Sequence, residues 1–224
     1  ADSEILDFLP APFKGRDDLM AFPFFPTLDG FHRQARRILD GKGRSIAKAS
    51  LKEWQQFLDE DEIAWSVLYP TTALTFGLVR DKDWACALAT GYNNYLYENF
   101  TKAEKRLKGM ALLPLQDIPA AVKELRRAVK ELGFVGGVLP AVGLRQPFGD
   151  ERYFPVYEAA QELNALLAVH AAPTQGIGVD GFDRLIEVRT LSHGFGQMIQ
   201  TTSMIYSGVY DRFPKLKVAY AEAG

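Results

Sequence analysis

Cysteine is nearly missing from this 224-residue chain: Cys86 is the only one. An internal disulfide and a thiolate metal cluster are therefore both excluded. Histidine is almost as scarce, at three, so any imidazole chemistry rests on His32, His170 and His193. No stretch reaches the roughly 18 uninterrupted apolar residues of a membrane span. An excess of one charge is missing too. Against 28 acidic residues stand 26 Lys and Arg, a net charge of -2, which gives no electrostatic footprint for nucleic acid or an acidic membrane surface. No Gly-rich dinucleotide fingerprint follows any apolar run. The opening Ala1-Asp2-Ser3-Glu4 lacks the basic-then-apolar order of a signal peptide. The expected location is cytoplasmic.

What is present falls into two regions. Residues 1–46 form a Pro- and aromatic-rich segment, irregular from residue 5 on, with Leu9-Pro10-Ala11-Pro12-Phe13 and Phe22-Pro23-Phe24-Phe25-Pro26. Prolines remove backbone donors and restrict the residue before them, so neither a long helix nor a central strand fits. Such a run is a lid over a binding site, or a loop tucked against the domain's own surface. From residue 47 to 224 the pattern is regular. Ser50-Leu-Lys-Glu53 is a capping box ahead of Trp54, Phe57 and Leu58 at helical spacing. The apolar run Ile63–Tyr69 ends at Pro70, and 82–102 reads as a helix. Met110–Leu113 is a further short apolar run. Asp117 and Pro119 open a helix that Gly133 stops. Phe134–Leu139 is a strand, 151–163 a helix capped by Asn164, and Leu166–His170 a strand. Helical spacing over 182–211, broken near Gly194 and Gly196, leads to a last strand at Leu216–Ala221.

Short apolar strands alternating with amphipathic helices predict a parallel sheet with crossover helices. The strands do not alternate polar and apolar residues, as expected when both faces are buried. The reading is an α/β fold: a (β/α)8 TIM-like barrel, of which this length supplies about strands two to six. Both ends read as cut, because a buried parallel strand at the C-terminus calls for a covering helix.

In such a barrel, polar residues at C-terminal strand ends are placed where catalysis occurs. Tyr69, Thr71, Gln116, His170 and Glu222 meet that criterion, and His170 and Glu222 carry the strongest chemistry. His170 is either a neutral-imidazole metal ligand or a core histidine satisfied by a backbone carbonyl. Glu222 is a ligand, a general base, an anchor for a ligating histidine, or one half of a salt bridge that closes the strand end. His193, flanked by Gly194 and Gly196, is a candidate catalytic or substrate contact, or a packed helix-end residue. In the aromatic segment His32 and Phe25 are candidate substrate contacts, as is Tyr69 at its strand end. Cys86, on an apolar helical face, reads as core. Between Met198 and Tyr210, apolar side chains on a surface helix point either to a homo-oligomer (dimer or larger) or to packing on the barrel.

Several segments carry a family resemblance: Val67-Leu-Tyr-Pro-Thr71, Gly91-Tyr-Asn-Asn-Tyr-Leu96, Leu107-Lys-Gly-Met-Ala-Leu-Leu-Pro-Leu115, Ala168-Val-His-Ala171 and Ser207–Gly224. Together they resemble the amidohydrolase-related family, in its aminocarboxymuconate-semialdehyde decarboxylase-like branch. The resemblance implies a distorted barrel with one divalent ion, usually Zn2+ and sometimes Mn2+, at the strand ends. It makes His170 the strand-five metal ligand. The strand-one acidic-or-His-x-His motif and the strand-eight aspartate are expected outside this sequence. The family's decarboxylases carry a histidine at the end of strand six, where this chain has Glu222. The implied activity is a metal-dependent hydrolase or a non-oxidative decarboxylase (a C–C lyase). Its substrate would be a small carboxylated molecule, aromatic or cyclic, with Glu222 and His193 in catalytic roles. The competing reading is a metal-free barrel that serves as a binding or subunit module.

Overall fold

Parallel strands of this composition need helices on their outer face, and the chain supplies them in strict alternation. The computed structural model describes residues 2–14, 49–174 and 176–223. Helix α1 (Asp2–Leu6) is followed by α2 (Leu51–Glu60), β1 (Ser66–Leu68), α3 (Lys82–Leu96) and β2 (Leu107–Leu112). Then come α4 (Ile118–Lys130), β3 (Gly136–Pro140), α5 (Phe154–Glu162) and β4 (Leu166–His170). Helices α6 (Leu185–Tyr206) and α7 (Val209–Arg212) precede β5 (Lys217–Ala221). The five strands lie in the order β1-β2-β3-β4-β5, and every pair is parallel.

Local signals set the boundaries. The Ser50 hydroxyl accepts the Glu53 amide at 3.3 Å while the Glu53 carboxylate accepts the Ser50 amide at 2.7 Å, so the capping box is reciprocal. Asp117 caps α4 by accepting the Ala120 amide, and Gly133 takes φ +68 where the chain turns back toward β3. Asn164 likewise adopts φ +54 after α5. Two expectations need correction. The short helix α1 occupies part of the segment read as irregular, because Ile5 and Leu9 are buried against α3 beside Gly91. Helix α6 also runs unbroken through Gly194 and Gly196. Two helical glycines cost roughly 1 kcal/mol each, yet tertiary packing of the buried α6 face outweighs that loss.

The sheet curls. Adjacent strands sit about 4.8 Å apart, so the ends of β1 and β4 in a flat sheet would be roughly 14 Å apart. Instead the Tyr69 and His170 rings, just beyond β1 and at the end of β4, have centroids 6.1 Å apart. Inside this curl Met110, Val138 and Ala168 are buried, with the partly buried Val67, Tyr69 and Leu166 packed against them, the side-chain filling of a small barrel. The fold is a TIM-type barrel, and the described residues form a five-stranded arc of it.

A buried polar tie fixes the arc to its helices. Asn93 on α3 is fully buried. Its Nδ2 donates to Leu112 O (3.0 Å) and to Glu124 (2.7 Å), and its Oδ1 accepts the Leu112 amide (2.9 Å). Glu124 on α4 in turn pairs with Arg127 at 2.6 Å, and Arg127 donates to Asn94. One amide thus joins two helices to the end of β2. Asn93→Leu removes three bonds, two of them to the buried Leu112 backbone, so urea unfolding is expected to show a loss of about 2–4 kcal/mol. A loss below about 0.5 kcal/mol would show that the tie is dispensable.

Candidate active site at the barrel mouth

Strand parity decides which side chains reach the barrel interior. Leu166, Ala168 and His170 share the inner face of β4, because side chains alternate along a strand. In the ladders, His170 lies level with Pro140 on β3 and Ala221 on β5. His170 is thus the last inward residue of β4, at the C-terminal mouth, and Glu222 emerges one residue beyond Ala221. The His170 side chain is 10% exposed and that of Glu222 54%.

Three predicted residues meet here. His170 Nε2 lies 4.0 Å from Glu222 Oε1, and His193 Nε2 lies 3.3 Å from Glu222 Oε2. Tyr69 borders the same space, tilted 50° against the His170 ring. Burial raises the Tyr69 phenol pKa, which keeps its hydroxyl a donor at neutral pH. The other two predicted contacts, His32 and Phe25, lie outside the described residues. Gln116 is structural: it donates to Phe76 O and Val79 O. Cys86 has its thiol pushed up to about 11, chiefly by burial, and is no nucleophile.

Hydrogen bonds fix both imidazole tautomers. His170 Nδ1 is 2.7 Å from Ala171 O, and His193 Nδ1 is 3.0 Å from Arg189 O. A carbonyl only accepts, so each Nδ1 carries the hydrogen and each Nε2 of a neutral ring carries a lone pair. For His170 this presents a metal-ready nitrogen toward the mouth, held by a backbone carbonyl as ligating histidines commonly are. The residue fits a divalent ion. Among the described residues no group of three or more His, Cys, Asp or Glu gathers to hold one, so His170 stands as a single candidate ligand. For His193, burial lowers the pKa, opposed by the Arg189 carbonyl and by Glu222. A neutral Nε2 lone pair facing a carboxylate at 3.3 Å is repulsive, and a proton between the two atoms turns the contact into a hydrogen bond.

Helix α6 brings His193 to that place, and two residues unremarked in the sequence share its face. Gln197 donates to Val169 O (3.0 Å) and Ala221 O (2.6 Å), and Gln200 donates to Ala141 O (2.8 Å). The signal was available as spacing. His193, Gln197 and Gln200 stand at i, i+4 and i+7 on a helix with no Asp, Glu, Lys or Arg between Arg189 and Asp211. Glu222 itself has φ +56, a left-handed conformation that disfavours any side chain.

An imidazole and a carboxylate at the C-terminal mouth of a parallel barrel stand where TIM-barrel enzymes place their active sites. A family profile described as amidohydrolase matches residues 70–224, and the chain belongs to that family. Among curated relatives, 2-amino-3-carboxymuconate-6-semialdehyde decarboxylase of Dictyostelium discoideum is 28% identical over 169 residues, covering 75% of this chain and 46% of that protein. Gamma-resorcylate decarboxylase of Polaromonas sp. is 29% identical over 199 residues, covering 84% and 57%. The chain spans about half the length of these relatives. Among solved structures, a dihydroxybenzoic acid decarboxylase from Polaromonas sp., with bound manganese and 2-nitroresorcinol, superposes with a TM-score of 0.66. It is 24% identical and covers 77% of this chain and 54% of that one. A similarity at that level shows the fold.

The strained turn gives a stability test. In the complete protein, Glu222→Gly is expected to leave urea stability unchanged or raise it by up to about 1 kcal/mol, since glycine adopts positive φ freely. A loss of more than about 1 kcal/mol, the usual result of glycine at an ordinary strand end, would mean that Glu222 is not strained.

Proposed function

We propose that the complete protein is a metal-dependent, non-oxidative decarboxylase of a small aromatic carboxylic acid. The observation that carries this reading is the meeting of His170, Glu222 and His193 at the barrel mouth. The decarboxylase relatives support it. His170 would hold one divalent ion, Zn2+ by preference and Mn2+ as the alternative, which polarises oxygen atoms of the substrate. Decarboxylation breaks the bond between ring carbon and carboxylate. The electron pair stays on the ring carbon, CO2 leaves, and that carbon takes a proton. A proton on His193 Nε2 would lie 3.3 Å from Glu222 Oε2 at the mouth, from where it could pass to the ring. Tyr69 would flank the ring and donate from its hydroxyl. Within residues 1–46, the aromatic stretch 22–31 would supply a lid over a domain of residues 47–224, with Phe25 and His32 touching the substrate.

Hydrolysis is the second reading, and Glu222 favours it. A carboxylate accepts a proton from water more readily than it delivers one to carbon. The same residues would then serve a C–N or C–O bond.

The full-length protein, loaded with Zn2+ or Mn2+, should release CO2 from 2,6-dihydroxybenzoate or 5-carboxyvanillate. His170→Ala is expected to lower metal content from about one ion per chain and activity by more than about 100-fold. Hydrolysis of esters or amides without CO2 release would select the second reading. Absence of bound metal under every loading condition would remove both.

Self-association belongs to the same proposal. Met198, Ile199, Ile205 and Tyr206 stand exposed on α6, Tyr206 at 88%, and support a homo-oligomer, a dimer or larger. Sedimentation of the full-length protein should show it, and joint Met198→Lys and Ile205→Lys substitution should reduce the mass. A wild-type monomer at micromolar concentration would rule it out.

A further inference from the structure

We infer that Gln197 is a positioning residue whose side-chain amide ties the ends of β4 and β5 together and so presents His170 and Glu222 side by side. The inference rests on the proposed reaction. Its basis is one amide with two acceptors: Gln197 Nε2 donates to Val169 O at 3.0 Å and to Ala221 O at 2.6 Å. Those carbonyls belong to the residues immediately before His170 and Glu222. Because both partners accept only, the nitrogen must face them and the amide orientation is fixed.

Packing alone does not account for an amide here. Gln197 is 2% exposed, and its Oε1 is buried without a hydrogen-bond partner among the described residues. An apolar side chain of equal length would fill the position without an unpaired acceptor. Gln200, one turn on, makes the contrast. Its nitrogen donates to Ala141 O and its oxygen accepts the Phe148 amide at 2.8 Å, a fully paired structural tie between β3 and a loop.

The Gln197 tie acts where the backbone is strained. The Ala221 carbonyl belongs to the peptide that leads into Glu222, and Glu222 is held at φ +56. Such a conformation persists only where the surroundings impose it. Gln197 also lies one turn after His193 on the same helix face, so α6 sets the imidazole and the strand end as one unit. Without the two donors, the Ala221–Glu222 peptide is free to rotate, and the Glu222 carboxylate leaves His193.

Gln197→Met keeps length and volume and removes both donors, and it is tested in the full-length protein by four measurements. Thermal unfolding should remain cooperative. The kcat should fall about 10- to 100-fold, with KM within about threefold, and Mn2+ affinity should fall about 10-fold, the range for groups that orient a ligand. A crystal structure should show Glu222 away from His193, with negative φ. Unchanged kcat and Mn2+ affinity, with Glu222 still left-handed against His193, would overturn the inference. If the Met variant does not fold, Gln197→Asn, too short to span both carbonyls, is judged by the same criteria. A wild-type protein that releases no CO2 sinks the proposed function alone, because the variant's crystal structure still decides the tie.

Discussion

A slip of one residue in the ladder between β4 and β5 would turn Ala221 outward and carry Glu222 away from the mouth. The observed register sets His170 level with Ala221, and the curl of the sheet brings Tyr69 from β1 to the same place. Register matters here because a slip exchanges every inward side chain for an outward one. The inner row Met110, Val138 and Ala168 and the outer row Leu167 and Val169 differ in size. The site geometry therefore follows from hydrophobic packing well before any catalytic group is considered.

Polar groups then work against this apolar frame. Helix α6 carries Ser192, His193, Gln197 and Gln200 on a buried face, where each unpaired polar atom costs about 1–3 kcal/mol. Most of that cost is offset by strand-end carbonyls, which lie at the C-terminal edge of a parallel sheet and need donors. The exchange explains why amides, rather than charges, fill the row. An amide can satisfy a carbonyl without bringing the desolvation penalty of an ion. His193 is the one titratable member, and burial pushes it toward the neutral form.

The strand-end residues were legible from sequence because they depend on short-range pattern. An uninterrupted apolar run that stops at His170, and another that stops before Glu222, place both side chains without knowledge of the rest. Capping at Ser50 and Asp117 and the left-handed stop at Gly133 were equally local. Gln197 was not legible in the same way. Its role needs the phase of a 22-residue helix against two strands that the chain visits before and after it. The expected break at Gly194 and Gly196 failed for a related reason. Local propensity counts the cost of two glycines but not the contact of α6 with the strand ends, where a Cβ on Gly196 would already touch Val142 at 3.4 Å. The ligand set implied by the family resemblance extends beyond His170 to strands that this sequence does not supply, so a single imidazole was all that could be placed.

Glu222 concentrates these constraints in one residue. Its backbone is strained, its carboxylate is half exposed, and it lies between two imidazoles whose Nδ1 hydrogens are already committed to carbonyls. Folding gains nothing obvious from a side chain at a left-handed strand end, where glycine would serve with less strain. A carboxylate there does supply one thing that glycine cannot: an acceptor 3.3 Å from Nε2 of the buried His193 imidazole. In an imidazole–imidazole pair at the same mouth, protonating both rings would place two like charges together. With a carboxylate the protonated pair is net neutral, so a proton can reside at the mouth without charging it. That difference in charge arises from one residue at the end of β5.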